Sequence, residues 1–365
     1  MVTNGTPRIA VFSYGLPVEG QKRGGIERVA HDLASALGRR GYEVTVFTHD
    51  VDAKSDCYEV RRLPWKDFVD TWLGRRLTMG LLGNVLAVLP DYSNCDVIIS
   101  HGDSLLLPFA GKPIIRIMHG SAWCEAVHAK SPLRFATQLL VYVQELSTAL
   151  TQKGCVAVSK NTLRFNPFIK RTIPNGVDLS LFYPSAEEKS KEASILFVGS
   201  RDGRKRGQKL IDWFVNDVRA KYPAAQLHMV TKAGAELLGV SYHTGVSNEE
   251  LARLYRSAWV YASPSTYEGF GLPYLEAMAS GTPVIATPNP GSREILADGA
   301  FGVLAHDRQF CDSLLQLLGD ANLRQPFVEK GIQRAREYSL DKTVARYEVL
   351  IKEMCGLLNE VAQGA

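Results

Sequence analysis

Two Rossmann-like α/β domains are the fold that this sequence predicts. Three observations carry the prediction: a length beyond one hydrophobic core, strands that alternate with helices, and a restart of that alternation after a charged segment. A chain of 365 residues favours two cores of about 150–200 residues each. Residues 8–14 (RIAVFSY) form a short apolar run. A glycine-rich loop, a helical pattern from Glu27 to Arg40 and YEVTVFT at 42–48 come next, which makes a β-loop-α-β unit. Val29, Leu33, Ala36 and Leu37 recur at helical spacing, and Gly41 stands where a C-terminal cap belongs. Further strands are expected at 97–100 (VIIS), 113–119 (PIIRIMH) and 155–159 (CVAVS), with helical stretches between them. Such alternation indicates a parallel sheet covered on both faces.

Residues 185–194 (SAEEKSKEAS) are charged, small and free of apolar spacing, so they read as an exposed linker. The pattern then restarts with ILFVGS (195–200), a helix near 207–220, QLHMV (226–230) and a helix near 248–258. WVYASP (259–264), a helix near 272–279, PVIA (283–286) and GVL (302–304) continue it, and 308–320 and 325–362 are mostly helical. The expected organisation is therefore an N-terminal domain over 1–184, a linker over 185–194 and a second domain over 195–340. A helix over 341–365 is expected to pack back across the domain junction. The two domains are expected to face a deep cleft, since the carboxyl ends of parallel strands are where such sheets bind ligands.

Composition narrows the function classes. A hydrophobic share of 45% and a charged share of 22% are those of a globular protein, and no run of 18 apolar residues argues for a membrane span. A net charge of +4 is too slight to imply nucleic acid, and no such partner is expected. Cys57, Cys95, Cys124, Cys155, Cys311 and Cys355 are scattered singly, as reduced thiols would be, so no structural metal is expected. The opening MVTNGTPRIAVFSYG lacks an export signal, which places the chain in the cytoplasm. Segment 61–90 mixes Arg and Trp before a largely apolar stretch at 77–89. It reads as a helix packed on its own domain, with peripheral contact at the inner membrane face as the second reading.

The chemistry concentrates in STYEGFGLPYLEAMASGTPVIA (265–286). The strand before it ends at Pro264, and Leu272-Pro273 opens a helix, because proline suits the first turn where its missing N–H is no loss. A helix N-terminus offers unpaired N–H groups and partial positive charge, and Gly269 and Gly271 let the backbone approach an anion closely. Glu276, about one turn into the helix, is placed to hold a ribose, and Glu268 to hold what is attached on the far side of the phosphate. Two carboxylates flanking a diphosphate bracket a nucleotide-sugar; singly, each also suits a helix start as a complement to the dipole.

A diphosphate needs cations as well. In SRDGRKRG (200–207), Arg201 and Lys205 leave a strand end and are placed to neutralise it, Arg as a fork and Lys as a point charge. Arg204 and Arg206 read as a solvated basic loop. In the first domain RGGIER (23–28) links a strand to a helix start, where Gly24 and Gly25 admit a phosphate or an acceptor, or simply make the turn. His119 ends the strand at 113–119 and is followed by Gly120; it is either a site residue or a structural one.

Other motifs are poorly supported. Asp50-Val51-Asp52 spells a metal-binding DxD but sits at a turn, where acids are common. No loop matches GxGxxG or the P-loop spacing, and neither HExxH nor GxSxG occurs, so a dehydrogenase, an ATPase and the common hydrolases are disfavoured.

With these residues in view the chain resembles the large family-4 group of retaining glycosyltransferases with the GT-B fold, over nearly its whole length. GGIERVAHDLASALGRRGYEVTVFT matches that family's opening, and CVAVS with IPNGVDLSLFYP its inter-domain segment. FVGSRDGRK matches its basic loop, SPSTYEGFGLPYLEAMASGTPVIA its E-x7-E signature, and PGSREILADGAFGVL the segment after that signature. The resemblance implies that Glu268 contacts the donor sugar and that the Phe270-Gly271-Leu272 backbone cradles phosphate. It implies that Glu276 holds ribose hydroxyls, that Arg201 and Lys205 bind the diphosphate, that Gly25 approaches the phosphate and that His119 sits by the sugar. The Arg and Lys stand four apart instead of about six, so Arg206 competes with Lys205 for the second cation's place. The implied reaction moves a sugar from a nucleotide-diphosphate donor to an acceptor hydroxyl with retention, without a metal or other cofactor. An epimerase or phosphorylase on the same plan, and a non-catalytic nucleotide-sugar binder, are the alternatives.

Overall fold

The computed structural model describes residues 6–18, 24–49, 55–63, 81–102, 104–127, 129 and 131–357. It divides into two units, Met1–Pro174 with Thr343–Ala365, and Asn175–Lys342.

In the first unit the strands are β1 (Ile9–Phe12), β2 (Val44–Thr48), β3 (Glu59–Arg62), β4 (Val97–Ser100), β5 (Ile114–Met118), β6 (Gly154–Ala157) and β7 (Arg171–Thr172). Among the described residues they form one sheet in the order β3-β2-β1-β4-β5-β6-β7, and every pairing is parallel. Helices α1 (Gly25–Arg39), α2 (Leu81–Val88), α3 (Ala122–Val127), α4 (Pro132–Thr151) and α5 (Lys160–Phe165) connect them. All four residues of β1, β4 and β6 are buried, as a sheet covered on both faces requires. Ile9 pairs with Val44 on one side and Val97 on the other, so the strand order reverses at β1. Gly41 has φ +88° and its N–H donates to Gly38 O at 2.9 Å, which closes α1 as its position predicts.

The second unit repeats the plan. Its strands are β8 (Ser194–Val198), β9 (Gln226–Val230), β10 (Val240–His243), β11 (Val260–Ser263), β12 (Val284–Ala286) and β13 (Val303–Leu304). They lie in the order β10-β9-β8-β11-β12-β13, all parallel, with the reversal at β8. Helix α6 (Gly207–Trp213) runs on through a wider turn over Phe214–Val218 to Arg219–Lys221. After it come α7 (Asn248–Ser257), α8 (Leu272–Ala279), α9 (Pro290–Ile295), α10 (Asp307–Gly319), α11 (Ala321–Glu337) and α12 (Leu340–Met354). Phe197, Leu210, Phe214, Leu227, Met229, Phe310 and Leu314 meet in one fully buried cluster. Each such side chain contributes about 1.5–3 kcal/mol on burial.

One expectation needs correction, and two features were not foreseen. β3, β7 and β10 carry no apolar run: EVRR and VSYH are polar edge strands, and RT is two residues long, so backbone pairing rather than composition makes them strands. Residues 185–194 are not an exposed linker. Lys189 Nζ donates to Ala258 O at 2.7 Å and Thr282 Oγ1 at 2.9 Å, Ser190 N–H donates to Ser257 O, and Ala193 is buried. Burial, reinforced by Arg324, lowers the Lys189 ammonium to about 8. The chain divides at Pro174 instead, and residues 175–194 belong to the second unit. Finally, the helical stretch 325–362 breaks at Tyr338-Ser339. There Val177 N–H donates to Tyr338 O at 2.8 Å and Leu340 N–H to Val177 O at 2.9 Å, a strand-like bridge that no glycine or proline announces.

From Thr343 on, α12 belongs to the first unit, where Val344, Tyr347, Leu350 and Ile351 are buried. Arg40 with Glu348 and Arg171 with Glu353 add ion pairs at its rim, each worth at most about 1 kcal/mol. No helix among the described residues is long and apolar enough to cross a membrane. Residues 64–80 of the segment considered for membrane contact lie outside the described residues, as does the Asp50-Val51-Asp52 motif. In α2, Asn84 is buried and accepts from Leu105 N–H at 2.7 Å.

Candidate functional site

In the second unit the loops after β8 and β11 leave the two strands that flank the reversal of strand order, the place where such sheets bind ligands. Gly271 caps α8 with φ +104° and ψ +42°, a conformation that favours glycine, and a Cβ there would lie 2.5 Å from Tyr274 Cδ2. Tyr274 N–H donates to Gly271 O. Among the described residues the N–H groups of Phe270, Gly271 and Leu272 have no acceptor, so this turn presents amides at a helix N-terminus. Gly269 does not share the positive φ.

The basic loop is stitched to this turn residue by residue. Arg204 O accepts from Thr266 N–H at 2.8 Å and Ser265 Oγ at 3.2 Å, while Arg204 Nη1 donates to Tyr267 O at 3.1 Å. Arg206, in a left-handed conformation with φ 51°, donates from Nε to Pro264 O at 2.6 Å and forks onto Asp307 at 2.8 and 2.9 Å. Arg206 is therefore held in the scaffold and is not part of a solvated basic run, whereas Arg204 stays exposed while it donates to Tyr267 O. Lys205 lies between them, and its Nζ meets Glu268 Oε1 at 2.5 Å, both side chains mostly buried. Lys205, not Arg206, stands beside the first glutamate; the guanidinium of Arg206 is held by Asp307.

The guanidinium of Arg201 has no hydrogen-bond or ion-pair partner among the described residues. It lies against Gly234, where a Cβ would come 2.4 Å from its Nη1. Glu276 is buried in α8. Both glutamates act on Tyr261: burial raises its phenol well above the usual value, followed by the charges of Tyr274, Glu268 and Glu276. The structure thus brings Lys205 and Glu268 into direct contact, and the charges of Glu268 and Glu276 both bear on Tyr261.

Several residues that hold this arrangement were not read from the sequence. Asn289 caps α9 and forms a reciprocal pair with Ser292, while its Nδ2 reaches Ser265 O at 2.9 Å and Tyr274 OH at 3.3 Å. Thr287 Oγ1 donates to Ser265 O at 2.6 Å. Gly291 N–H donates to Glu268 O at 3.1 Å, and a Cβ on Gly291 would stand 2.7 Å from Phe270 O. The pattern N-P-G-S just after a strand was the available signal, an N-cap followed by proline and a close approach.

In the first unit, Gly24 is the N-cap of α1 and Gly25 its first residue. Glu27 folds back toward Gly24, and a Cβ on Gly25 would meet nothing among the described residues within 4 Å. Gly25 has no positive φ either, so neither conformation nor packing within the described chain calls for glycine there. His119 follows β5, with its Nε2 at 3.0 Å from His101 Nδ1. Burial, with Arg116 second, lowers the His119 imidazole to about 3, so it is neutral at pH 7. Its partner His101 was not singled out from the sequence.

An amide-lined turn, a lysine–glutamate pair and a second buried carboxylate thus stand near the strand-order reversal of the second unit. Residues 182–334 match the family described as Glycosyl transferases group 1, and residues 23–181 match Glycosyltransferase Family 4. The two matches together span 23–334, and the chain belongs to the family-4, group 1 glycosyltransferases. It is similar to the D-inositol 3-phosphate glycosyltransferase of Paenarthrobacter aurescens, 31% identical over 200 residues, 47% of this chain and 48% of that protein. The chain thus matches about half the length of this curated relative. Among solved structures, sucrose-phosphate synthase from Thermosynechococcus elongatus superposes with TM-score 0.78 at 21% identity, covering 96% of this chain and all of that one. HepE of Anabaena, in complex with UDP and glucose, does so with TM-score 0.69 at 17% identity, covering 95% and 100%. These likenesses show the GT-B fold.

Proposed function

We propose that this protein is a retaining glycosyltransferase that moves a sugar from a nucleotide-diphosphate donor to an acceptor hydroxyl. The observation that carries the proposal is the turn 268–272, where unpaired amides, Lys205 and Glu268 meet at a helix N-terminus. On this reading the amides of Phe270, Gly271 and Leu272 receive the pyrophosphate, and Arg201 supplies a fork that no described residue occupies. Lys205 shifts from Glu268 toward phosphate oxygen, which frees Glu268 to accept hydrogen bonds from sugar hydroxyls. Glu276 holds the ribose. Gly25 is reserved for close approach of the phosphate, and His119 for the sugar, as the family resemblance implies.

Catalysis then rests on stabilising the departing diphosphate and positioning the acceptor on the same face of the sugar. The charge on the diphosphate is met by Arg201, Lys205 and amides, so turnover is expected to survive chelation of divalent metal. Glu268 is paired with Lys205 and is assigned to binding, not to covalent attack. Thermal-shift measurements with UDP, GDP, ADP and dTDP test the reading, followed by mass spectrometry of products from UDP-glucose and other donors with candidate acceptors. Stabilisation by one nucleotide, abolished in Lys205→Ala, supports it, and NMR of the product's anomeric centre reads retention. No stabilisation by any of the four sinks it.

A further inference from the structure

β4 and β5 are adjacent strands of the first unit, and each is followed by a histidine, His101 and His119. The imidazoles stack with ring centroids 5.2 Å apart and 19° between planes, and His101 Nδ1 lies 3.0 Å from His119 Nε2. Both rings are neutral at pH 7: burial lowers each of them, followed by Arg116 for His119 and by His119 and Arg116 for His101. A hydrogen bond between two neutral imidazoles holds one proton, and either ring can own it.

The atom that decides ownership is His101 Nε2, which is buried and has no hydrogen-bond partner among the described residues. If His119 Nε2–H were the donor, His101 would carry its own proton on Nε2 and bury an orphaned N–H. Orphaned buried donors are rarer than under-used acceptors. In the other arrangement His101 Nδ1–H donates, only a lone pair is buried at Nε2, and His119 carries its proton on Nδ1. Through that nitrogen His119 makes no hydrogen bond to a described residue.

We propose that His101 is a positioning residue that locks His119 in the Nδ1–H tautomer, so that His119 offers the sugar a neutral hydrogen-bond donor in a fixed direction. The proposal rests on the assignment of His119 to the sugar. Its consequence is that His119 donates to a sugar oxygen and does not serve as the base for the acceptor hydroxyl, because Nε2 is occupied and Nδ1 already holds a proton.

The test is long-range proton–nitrogen NMR on protein labelled with 15N-histidine, with His119 assigned through His119→Gln. The expected result is a bare Nε2 and a protonated Nδ1 on His119 in the wild-type protein. A protonated Nε2 overturns the proposal, and this measurement needs no variant at position 101. His101→Phe keeps an aromatic ring and removes the donor. It is expected to release His119 into a mixture of tautomers and lower kcat about tenfold, the worth of one hydrogen bond, with nucleoside diphosphate affinity unchanged. His101→Asn returns an N–H near the Nδ1 position and restores most of kcat. An unchanged His119 tautomer in His101→Phe overturns the proposal even if kcat falls. If His119→Gln turns over like the wild type, the sugar assignment fails while the spectrum still reports on the tautomer, so the two failures are told apart.

Discussion

Two glycines, one near a helix start in each unit, have opposite surroundings. Gly291 in the second unit is demanded by the protein itself: its Cβ position is filled by Phe270 O and Glu268. At Gly25 in the first unit no described residue lies within 4 Å of the Cβ position, and φ is not positive. The contrast extends to the residues around them. The second-unit turn is bound to its scaffold by Arg204, Arg206, Thr287 and Asn289. The α1 N-cap in the first unit, Gly24, has no side-chain capping hydrogen bond among the described residues. One loop is built in advance, at the cost of strained φ at Arg206, while the other keeps space. Preorganised dipoles are the larger source of transition-state stabilisation, so the second unit should carry the larger mutational effects.

The sharpest break of that comparison is Lys205→Ala. It removes a cation from the proposed leaving group and strands Glu268 as a buried, unpaired carboxylate. Turnover is expected to fall about 10³-fold, with a loss of about 3 kcal/mol in stability. The double variant Lys205→Ala/Glu268→Ala should regain most of the stability and none of the turnover. Thermal melts beside a turnover assay read both, and equal stability in the single and double variants would count against the pair.

Gly291→Ala against Gly25→Ala tests the comparison directly. Forcing a methyl into the first position should destabilise the protein by about 1–3 kcal/mol and lower turnover with it. At Gly25 the melt should barely move, while KM for the donor rises about tenfold as the methyl meets the phosphate. Equal destabilisation by the two would erase the distinction.

Arg206→Lys comes next. The fork onto Asp307 needs a planar guanidinium, so lysine should not replace it, and kcat/KM should drop about tenfold as Lys205 loses its support. Wild-type kinetics in Arg206→Lys would show that Lys205 needs no such anchor.

The smallest effect expected is on the pH dependence of stability. The unfolded His119 takes up a proton near pH 6.5, whereas burial holds the folded one near 3. Between those values the unfolded state binds more protons, so stability is full above about 6.5 and falls as pH drops through that window. Replacing the ring, in His119→Gln, should reduce the slope by about 1 kcal/mol per pH unit between pH 6 and 5. Denaturant titrations at the two pH values measure it, and identical slopes contradict the assigned burial.

Much of the architecture was legible because parallel strands buried on both faces must be runs of apolar residues. QLHMV and VIIS were located to the residue, as was the helix over Leu272–Ala279, marked by a glycine before it and proline in its first turn. The polar strands β3 and β10 were not legible, because an edge strand is defined by its neighbour's hydrogen bonds. In the candidate site, Lys205 and Glu268 were readable as charges on strand-end loops, yet the direct contact between them was not. Arg206 was misread because a basic run looks solvated until its acceptors, Pro264 O and Asp307, are in place.

The sequence by itself determined the alternation of strand and helix, the repeat of that plan, and the types of residue at each strand end. Those come from local rules: periodicity, capping and the need to bury apolar runs. Only the tertiary structure decided which cation meets Glu268, that 185–194 docks as part of the second unit, and that His119 leans on His101. Each of these depends on groups separated by at least 18 and up to 93 residues coming within hydrogen-bond distance, and no local pattern encodes such a meeting.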